Sequence, residues 1–402
     1  MKRLLAVLFL LALPSALHAA PDEEALERAA ERRAAEVAQV LMDEKPAEAV
    51  FASSFLKEVP PVQLAALVSD LVKQSGDIRT VDDFLYQGDG AAKFDLVFEK
   101  ARGAASIQLD RQEPYLVTGF RIYGVTPTDD TPQKILADFA ALPGETGFAA
   151  YMLDKDGLQP ILTNKAHRQM AIGSTFKLYV LSALAREISA GKRRWSDVVA
   201  LEARSIPSGR MQDWPPDAPV TLQTLATMMI SISDNTATDT LMRLLDREAI
   251  EREVIASGHS DPSRTLPLLT TIELFALKTG DPARIAAYAK ADDAAQAALL
   301  SEWAPSLTRE HVALGKLIGS SPNAIDSVEW FASAEDIARI LQRLRDGGDP
   351  VVLQILGVNP SIVPHEQAYW DYVGYKGGSE PGVLNFSWLL KDKQGRWFVI
   401  AA

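Results

Sequence analysis

Cysteine is absent from all 402 residues. No disulfide, thiolate nucleophile, cysteine–zinc site or lipid-modified N-terminal cysteine can therefore form. Histidine is scarce: His18, His167, His259, His311 and His365 are scattered, without an H-E-x-x-H or comparable ligand spacing. That pattern gives no reason to expect a metal, and no cofactor is expected. The chain also has no Lys/Arg stripe, and its formal charge is −12. Such a balance disfavours a polyanion-binding surface, so nucleic acid is not an expected partner. Long apolar runs are missing too. The run at residues 4–13 is too short to span a bilayer. It follows Lys2-Arg3 and leads into a small-residue exit ending at Ala19-Ala20, so residues 1–20 read as a secretory signal peptide. The expected product is exported to a bacterial periplasm or exterior, with no stable membrane insertion after cleavage.

What is present suffices for a sizeable core: 47% of residues are hydrophobic and 23% charged, in a chain long enough for two domains. Helical patterns cover residues 22–45, 46–59 and 62–75. Short runs rich in β-branched and aromatic residues follow at 94–100, 104–109 and 115–123. Helices followed by a small antiparallel sheet predict a compact α+β domain over residues 21–124. Gly124 precedes residues 125–132, and Pro127 and Pro132 punctuate them, so they read as a linker. The second domain, 133–402, opens with a helix at 133–142 and a hairpin, 148–153 and 158–162, around Asp154-Lys155-Asp156-Gly157. A long helical region follows, and strands return at 372–376, 385–390 and 397–400. Two early and three late strands predict one antiparallel sheet, fed from both ends of the domain and flanked by helices. Residues 281–330, alanine-rich and largely helical, read as an insertion.

Chemistry concentrates in three short strings: Ser174-Thr175-Phe176-Lys177, Ser233-Asp234-Asn235 and Lys376-Gly377-Gly378. A serine hydroxyl needs a neighbouring base before it can attack a carbonyl, and Lys177 lies one helical turn from Ser174. Each string has lookalikes: Ser54-Phe55-Leu56-Lys57, Ser321-Pro322-Asn323 and Lys278-Thr279-Gly280. Context separates them. Ser174 follows a glycine and opens a helix with apolar Leu178, Leu181, Ala185 and Ile188, closed by Gly191. Free backbone N–H groups at a helix start are the raw material of an oxyanion hole. Ser54 lies in the other domain, in a helix expected to begin earlier. Ser233-Asp234-Asn235 falls between two helical patterns, where a short loop presents its side chains to a cleft. Lys278 ends a helix stopped by Gly280, whereas Lys376 closes a strand whose glycines permit close approach of a ligand.

In this order and context the three strings resemble those of the penicillin-recognising serine enzymes, most closely class A β-lactamases, over roughly residues 132–402. The two-domain layout is similar to that of the β-lactamase-like proteins of clavulanic acid biosynthetic clusters, whose front module resembles a ketosteroid-isomerase-type cone. The resemblance implies a β-lactamase/transpeptidase-like fold and assigns roles by position. Ser174 would be the acylated nucleophile, Lys177 its base or hydrogen-bond partner, and Ser233 the proton donor to the leaving nitrogen. Asn235 would hold Lys177 and the substrate, Lys376 would supply positive potential, and Gly378 and Ser379 would line the substrate. The backbone N–H groups of Ser174 and Ser379 would form the oxyanion hole.

Three departures stand out. No E-x-x-L-N string supplies the usual deacylating glutamate, and Glu273 is the nearest carboxylate in a comparable place. Gly377 replaces the usual hydroxyl residue, with no arginine at 385–390. The chain also ends at Ala402, where the family normally adds a helix, which reads as a truncation. A serine acyl hydrolase is therefore expected, acting on a small-molecule acyl substrate, a β-lactam amide first of all, with slow deacylation. A carboxylesterase, a D,D-peptidase and a ligand-binding or sensor protein are the alternatives.

Overall fold

The computed structural model describes residues 23–316, 321–362 and 364–402. Residues 1–20, expected to be a signal peptide, lie outside the described residues. No described helix is long and apolar enough to cross a membrane. The chain divides into two compact units, Met1–Thr131 and Pro132–Ala402.

In the first unit, helices α1 (Glu23–Leu41), α2 (Ser53–Glu58) and α3 (Pro61–Ser75) precede strands β1 (Ile78–Gly88), β2 (Ala91–Phe98), β3 (Ala101–Leu109) and β4 (Val117–Pro127). The strands form an antiparallel sheet in simple order, β1-β2-β3-β4. The inward face of α1, built on Leu26, Ala30, Ala34 and Val37, is buried, as are Phe94, Leu96 and Ile107 of the sheet. Three sequence expectations change here. β1 is an edge strand whose side chains are largely exposed, and its Asp82-Asp83 pair hides the usual alternation. Arg102 of β3 pairs with both aspartates, which is how the sheet accommodates them. Part of the expected linker is strand: Val125 and Thr126 pair with Gly103 and Arg102. Pro127 can end β4 because an edge strand leaves its outer N–H side free of the ladder. Finally, α2 begins at Ser53, so Ser54 lies in its first turn and not behind an earlier start.

The second unit is built on a five-stranded antiparallel sheet of order β11-β12-β13-β5-β6. Helix α4 (Pro132–Ala141) leads to β5 (Phe148–Asp154) and β6 (Gly157–Asn164). The other three strands return at the end of the chain: β11 (Trp370–Glu380), β12 (Val383–Asp392) and β13 (Trp397–Ala401). β13 pairs with β5, so the two ends of the unit close one sheet.

Between β6 and β11 run β7 (Met170–Ala171), α5 (Lys177–Ser189), β8 (Val198–Ala200), β9 (Pro219–Thr221), α6 (Leu222–Ser231), α7 (Asn235–Leu245) and α8 (Arg247–Ala256). Then come α9 (Thr271–Thr279), α10 (Pro282–Lys290), α11 (Asp293–Trp303), β10 (Phe331–Ala332), α12 (Ala334–Asp346) and α13 (Pro350–Gly357). Helix α5 is the centre of this unit. Its residues from Lys177 to Leu184 are all buried, which is why its sequence is apolar nearly all round. A capping box between Ser333 and Asp336 starts α12, whose apolar stripe Ile337, Ile340, Leu341 and Leu344 is buried in the same core.

Candidate active site

Gly173 and Gly378 bring the two halves of the site together. Gly173 has φ +50°, a conformation that favours glycine, and a Cβ there would lie 3.1 Å from the Ser379 nitrogen. On the facing strand, a Cβ at Gly378 would lie 2.6 Å from the Ser174 nitrogen. Without side chains at either position, β11 runs directly against the turn that carries Ser174. The backbone nitrogens of Ser174 and Ser379 thereby both border the close approach of Gly173 and Gly378. Ser174 lies in a 3-10 turn, Gly173–Phe176, and the α-helix begins at Lys177. This corrects the expectation that Ser174 opens the α-helix.

The side chains of Lys177, Ser233, Asn235 and Lys376 converge. Lys177 Nζ donates to the Ser233 carbonyl and to Asn235 Oδ1, both at 2.7 Å, and reaches Ser233 Oγ at 3.1 Å. Lys376 reaches the same Ser233 Oγ at 3.1 Å and donates to the Gly377 carbonyl. One hydroxyl is thus held between two buried lysines. Burial and the neighbouring Lys376 charge lower the Lys177 pKa well below that of an ordinary lysine, against the pull of Asp239 and Asp234. Burial alone pushes Lys376 down to about 7. Depressed values of this kind are what a lysine base and proton relay need near neutral pH.

The loop that presents Ser233 has a built-in support. Ser233 has φ +59°, in the left-handed region. Asp234 caps α7 through Ala237 N–H and also accepts from the N–H groups of Arg210 and Met211, at 2.6 and 2.9 Å. Gly209 makes this possible, because a Cβ there would collide with the Asp234 carboxyl. One helical turn further, buried Asp239 accepts from Ser205 Oγ and from the Thr271 and Ile272 N–H groups. That ties α7 to the start of α9.

Glu273 does not join the cluster. Its carboxylate closes the α9 capping box with Thr270 and pairs with Arg247 at 2.6 Å. Asp234 and Asp239, the carboxylates whose charge acts on Lys177, are both committed to backbone donors. Gly377 has no side chain, and the Tyr375 hydroxyl occupies the space that one would fill. The lookalikes lie elsewhere: Ser54 and Lys57 are in α2 of the first unit, and Asn323 donates to the Lys278 carbonyl.

Sequence reasoning missed several supporting residues. Thr175 donates to Asn385 of β12 at 2.7 Å, which binds the nucleophile turn to the sheet. Trp330 stacks on Phe176 with ring centroids 3.9 Å apart. The Asp239 tie has a faint sequence signal, a lone carboxylate in the otherwise uncharged stretch Asn235–Met242. The Trp330 stack has none, because it joins residues far apart in the chain.

A model of the β-lactamase enzyme family matches residues 130–349, more than half of the chain. Ser174, Lys177, Ser233 and Asn235 lie within the match, and Lys376 lies beyond it. Several solved structures are similar. One is a β-lactamase from Sphaerobacter thermophilus, 20% identical over 68% of this chain and 88% of its own, with a TM-score of 0.47. A β-lactamase from Chitinophaga pinensis is 16% identical over 67% and 88%, with a TM-score of 0.44. Penicillin-binding protein D2 from Listeria monocytogenes, in a cefotaxime-bound form, is 12% identical over 65% and 91%, with a TM-score of 0.42. No curated protein matches the chain.

Proposed function

We propose, for a chain that belongs to the β-lactamase enzyme family, an exported serine acyl hydrolase that works through a covalent acyl-Ser174 ester. Its substrate class is β-lactam amides, and its deacylation is slow. The observation that carries this reading is the Ser233 hydroxyl held at 3.1 Å by both Lys177 and Lys376.

The chemistry follows from that arrangement. Neutral Lys177 takes the Ser174 proton as Oγ bonds to the substrate carbonyl carbon, and the carbonyl electron pair moves onto oxygen. The N–H groups of Ser174 and Ser379 stabilise that oxyanion, one such donor lowering the barrier by about 3 kcal/mol. As the C–N bond breaks, Ser233 gives its hydroxyl proton to the leaving nitrogen and recovers one from the Lys177 ammonium. Lys376 supplies the positive field in which this transfer occurs.

Release of the acyl group needs a base for water. Asp234, Asp239 and Glu273 each hold hydrogen bonds or ion pairs that fix the scaffold. That commitment supports acylation faster than hydrolysis. It also favours a second reading, a protein that captures or senses β-lactams without turning them over. A carboxylesterase or D,D-peptidase would use the same nucleophile and lysine on other acyl donors. Export rests on residues 1–20 alone.

Intact-mass measurement of wild type beside Ser174→Ala, with a penicillin and an activated ester, tests the reading. A stable adduct on wild type only is expected. Absence of any adduct on wild type defeats the proposal, and steady nitrocefin turnover at full rate would remove the slow step.

A further inference from the structure

The tripeptide Lys278-Thr279-Gly280 resembles an active-site string yet ends helix α9, outside the reacting cluster. Its lysine is nonetheless buried, with 2% of its side chain exposed, between two carboxylates. Lys278 Nζ meets Glu329 Oε1 at 2.6 Å and also pairs with Glu380. Each carboxylate leads by a short backbone path to one side of the oxyanion gap.

On one side, Glu380 is the residue after Ser379, whose N–H is one of the two donors. On the other side, Glu329 precedes Trp330 and accepts from the Trp330 N–H at 3.2 Å. Trp330 in turn accepts from the Ile172 N–H at 2.9 Å and stacks on Phe176, so it grips both ends of the turn that carries Ser174. Its indole N–H is fixed to the Leu269 carbonyl at 2.9 Å. The residues around Lys278 add to the hold: Asn323 donates to its carbonyl at 2.7 Å, and Pro322 and Ile325 close over Gly382 in the turn after Glu380.

We propose that Lys278 is a positioning residue for acyl transfer, holding the Ser379 strand through Glu380 and the Ser174 turn through Glu329 and Trp330. One buried ammonium then sets the gap between the two backbone donors. This rests on the acyl-transfer reading above and adds to it a residue from the end of α9. Spacing is what such a device has to control, because an oxyanion hole works only when both donors meet the oxygen at hydrogen-bond distance.

The charge state of the cluster is consistent with a permanent clasp. Burial, reinforced by the hydrogen bond that the Glu329 carboxyl donates to Glu380, pushes Glu329 up to about 8. Glu329 is thereby held towards its protonated form beside Lys278 and Glu380. The charged groups facing Glu329 are Lys278 from α9 and Glu380 from β11. Lys316 reaches α9 only at the Thr279 carbonyl. Lys278 Nζ contacts both carboxyl groups, so none of the three buried groups is left without a partner.

The test compares wild type, Lys278→Met and Lys278→Arg as full-length protein, with a fluorescent penicillin and p-nitrophenyl acetate as probes. The acylation rate constant and the apparent dissociation constant are measured separately, and the final adduct mass counts the folded fraction. Lys278→Met is expected to lower the rate constant by about 10- to 100-fold, the effect of a donor displaced by part of an ångström. Its dissociation constant should stay close to the wild-type value, and Lys278→Arg should recover most of the rate. Hydrogen exchange should quicken in peptides covering Ser379 and Ser174 in Lys278→Met only. If Lys278→Met does not fold, Glu380→Gln takes its place with the same readouts. A folded variant with wild-type rate constant and wild-type exchange overturns the inference. Should neither probe label wild type, the acyl-transfer reading fails, while the exchange comparison still decides whether Lys278 holds the two segments.

Discussion

Two lysines of the second unit precede short glycine-bearing strings and are almost equally buried, Lys376 at 2% exposure and Lys278 at 3%. Their surroundings differ in one respect. Lys278 faces two carboxylates, whereas Lys376 faces a hydroxyl, a carbonyl and a second buried lysine. A buried ammonium beside carboxylates is held in its charged form. One without such partners is pushed towards the neutral amine. The first is suited to joining pieces of backbone and the second to moving protons. The tripeptides alone say little about which is which, because partner charge sets the role and the partners come from distant parts of the chain.

The largest expected effect bears on the proton-moving side. Lys177→Met should slow acylation of Ser174 by about 10²- to 10⁴-fold, the usual contribution of a general base. Intact-mass time courses check this, and an unchanged rate would remove Lys177 from the mechanism. Next comes stability. Lys278→Met leaves the buried Glu329 and Glu380 carboxyl groups without their shared partner and should lower unfolding free energy by about 3–5 kcal/mol. Lys376→Met removes an ammonium that already lacks a carboxylate and should change it by less than about 1 kcal/mol, since the lost hydrogen bonds are offset by the relieved desolvation. Urea denaturation measures both, and equal losses would break the comparison.

A third prediction uses pH. Lys376 titrates at about 7 in the folded protein, and an unfolded lysine near 10.4. Between those values the unfolded chain binds more protons, so stability attributable to Lys376 rises with pH across that window. Glu329 titrates at about 8 when folded, against about 4.3 for an unfolded glutamate. Here the folded chain binds more protons, and the contribution present at low pH is lost as pH rises through 8. Stability of wild type relative to Lys376→Met should therefore climb between pH 7 and 10. Relative to Glu329→Gln it should fall between pH 5 and 8. Slopes of one sign for both pairs would show that the two clusters are not electrostatically distinct.

The smallest effect concerns Glu273. Replacing it by glutamine should cost about 1 kcal/mol, as loss of a capping contact does, while acylation and release of the acyl group stay within twofold. A much slower release in Glu273→Gln would return that carboxylate to the mechanism, against the bonds it makes to Thr270 and Arg247.

Much of this architecture is legible in the sequence because it depends on local rules. The Asp154-Lys155-Asp156-Gly157 turn, the apolar face of α5 and the late alternating strands are each written within a few residues. So is the choice of Ser174 over Ser54, since a glycine before the serine and an apolar helix after it are adjacent in the chain. The misses are where local rules were overridden. β1 hides because Asp82 and Asp83 are compensated by Arg102, which lies on another strand. Gly124-Val125-Thr126-Pro127 reads as a break but pairs, because β3 offers a partner.

The sequence by itself determined the order of the chemical groups, the lack of thiol chemistry, and which serine stands at a turn before a helix. Only the tertiary structure decided that Ser233 lies between two lysines, that Glu273 belongs to a helix cap, and that Lys278 is a clasp. The reason is electrostatic and geometric. Propensity and periodicity act between neighbours along the chain, whereas the charge state of a buried group depends on what the fold places within a few ångströms of it. For Lys376 and Lys278 those neighbours come from other parts of the chain.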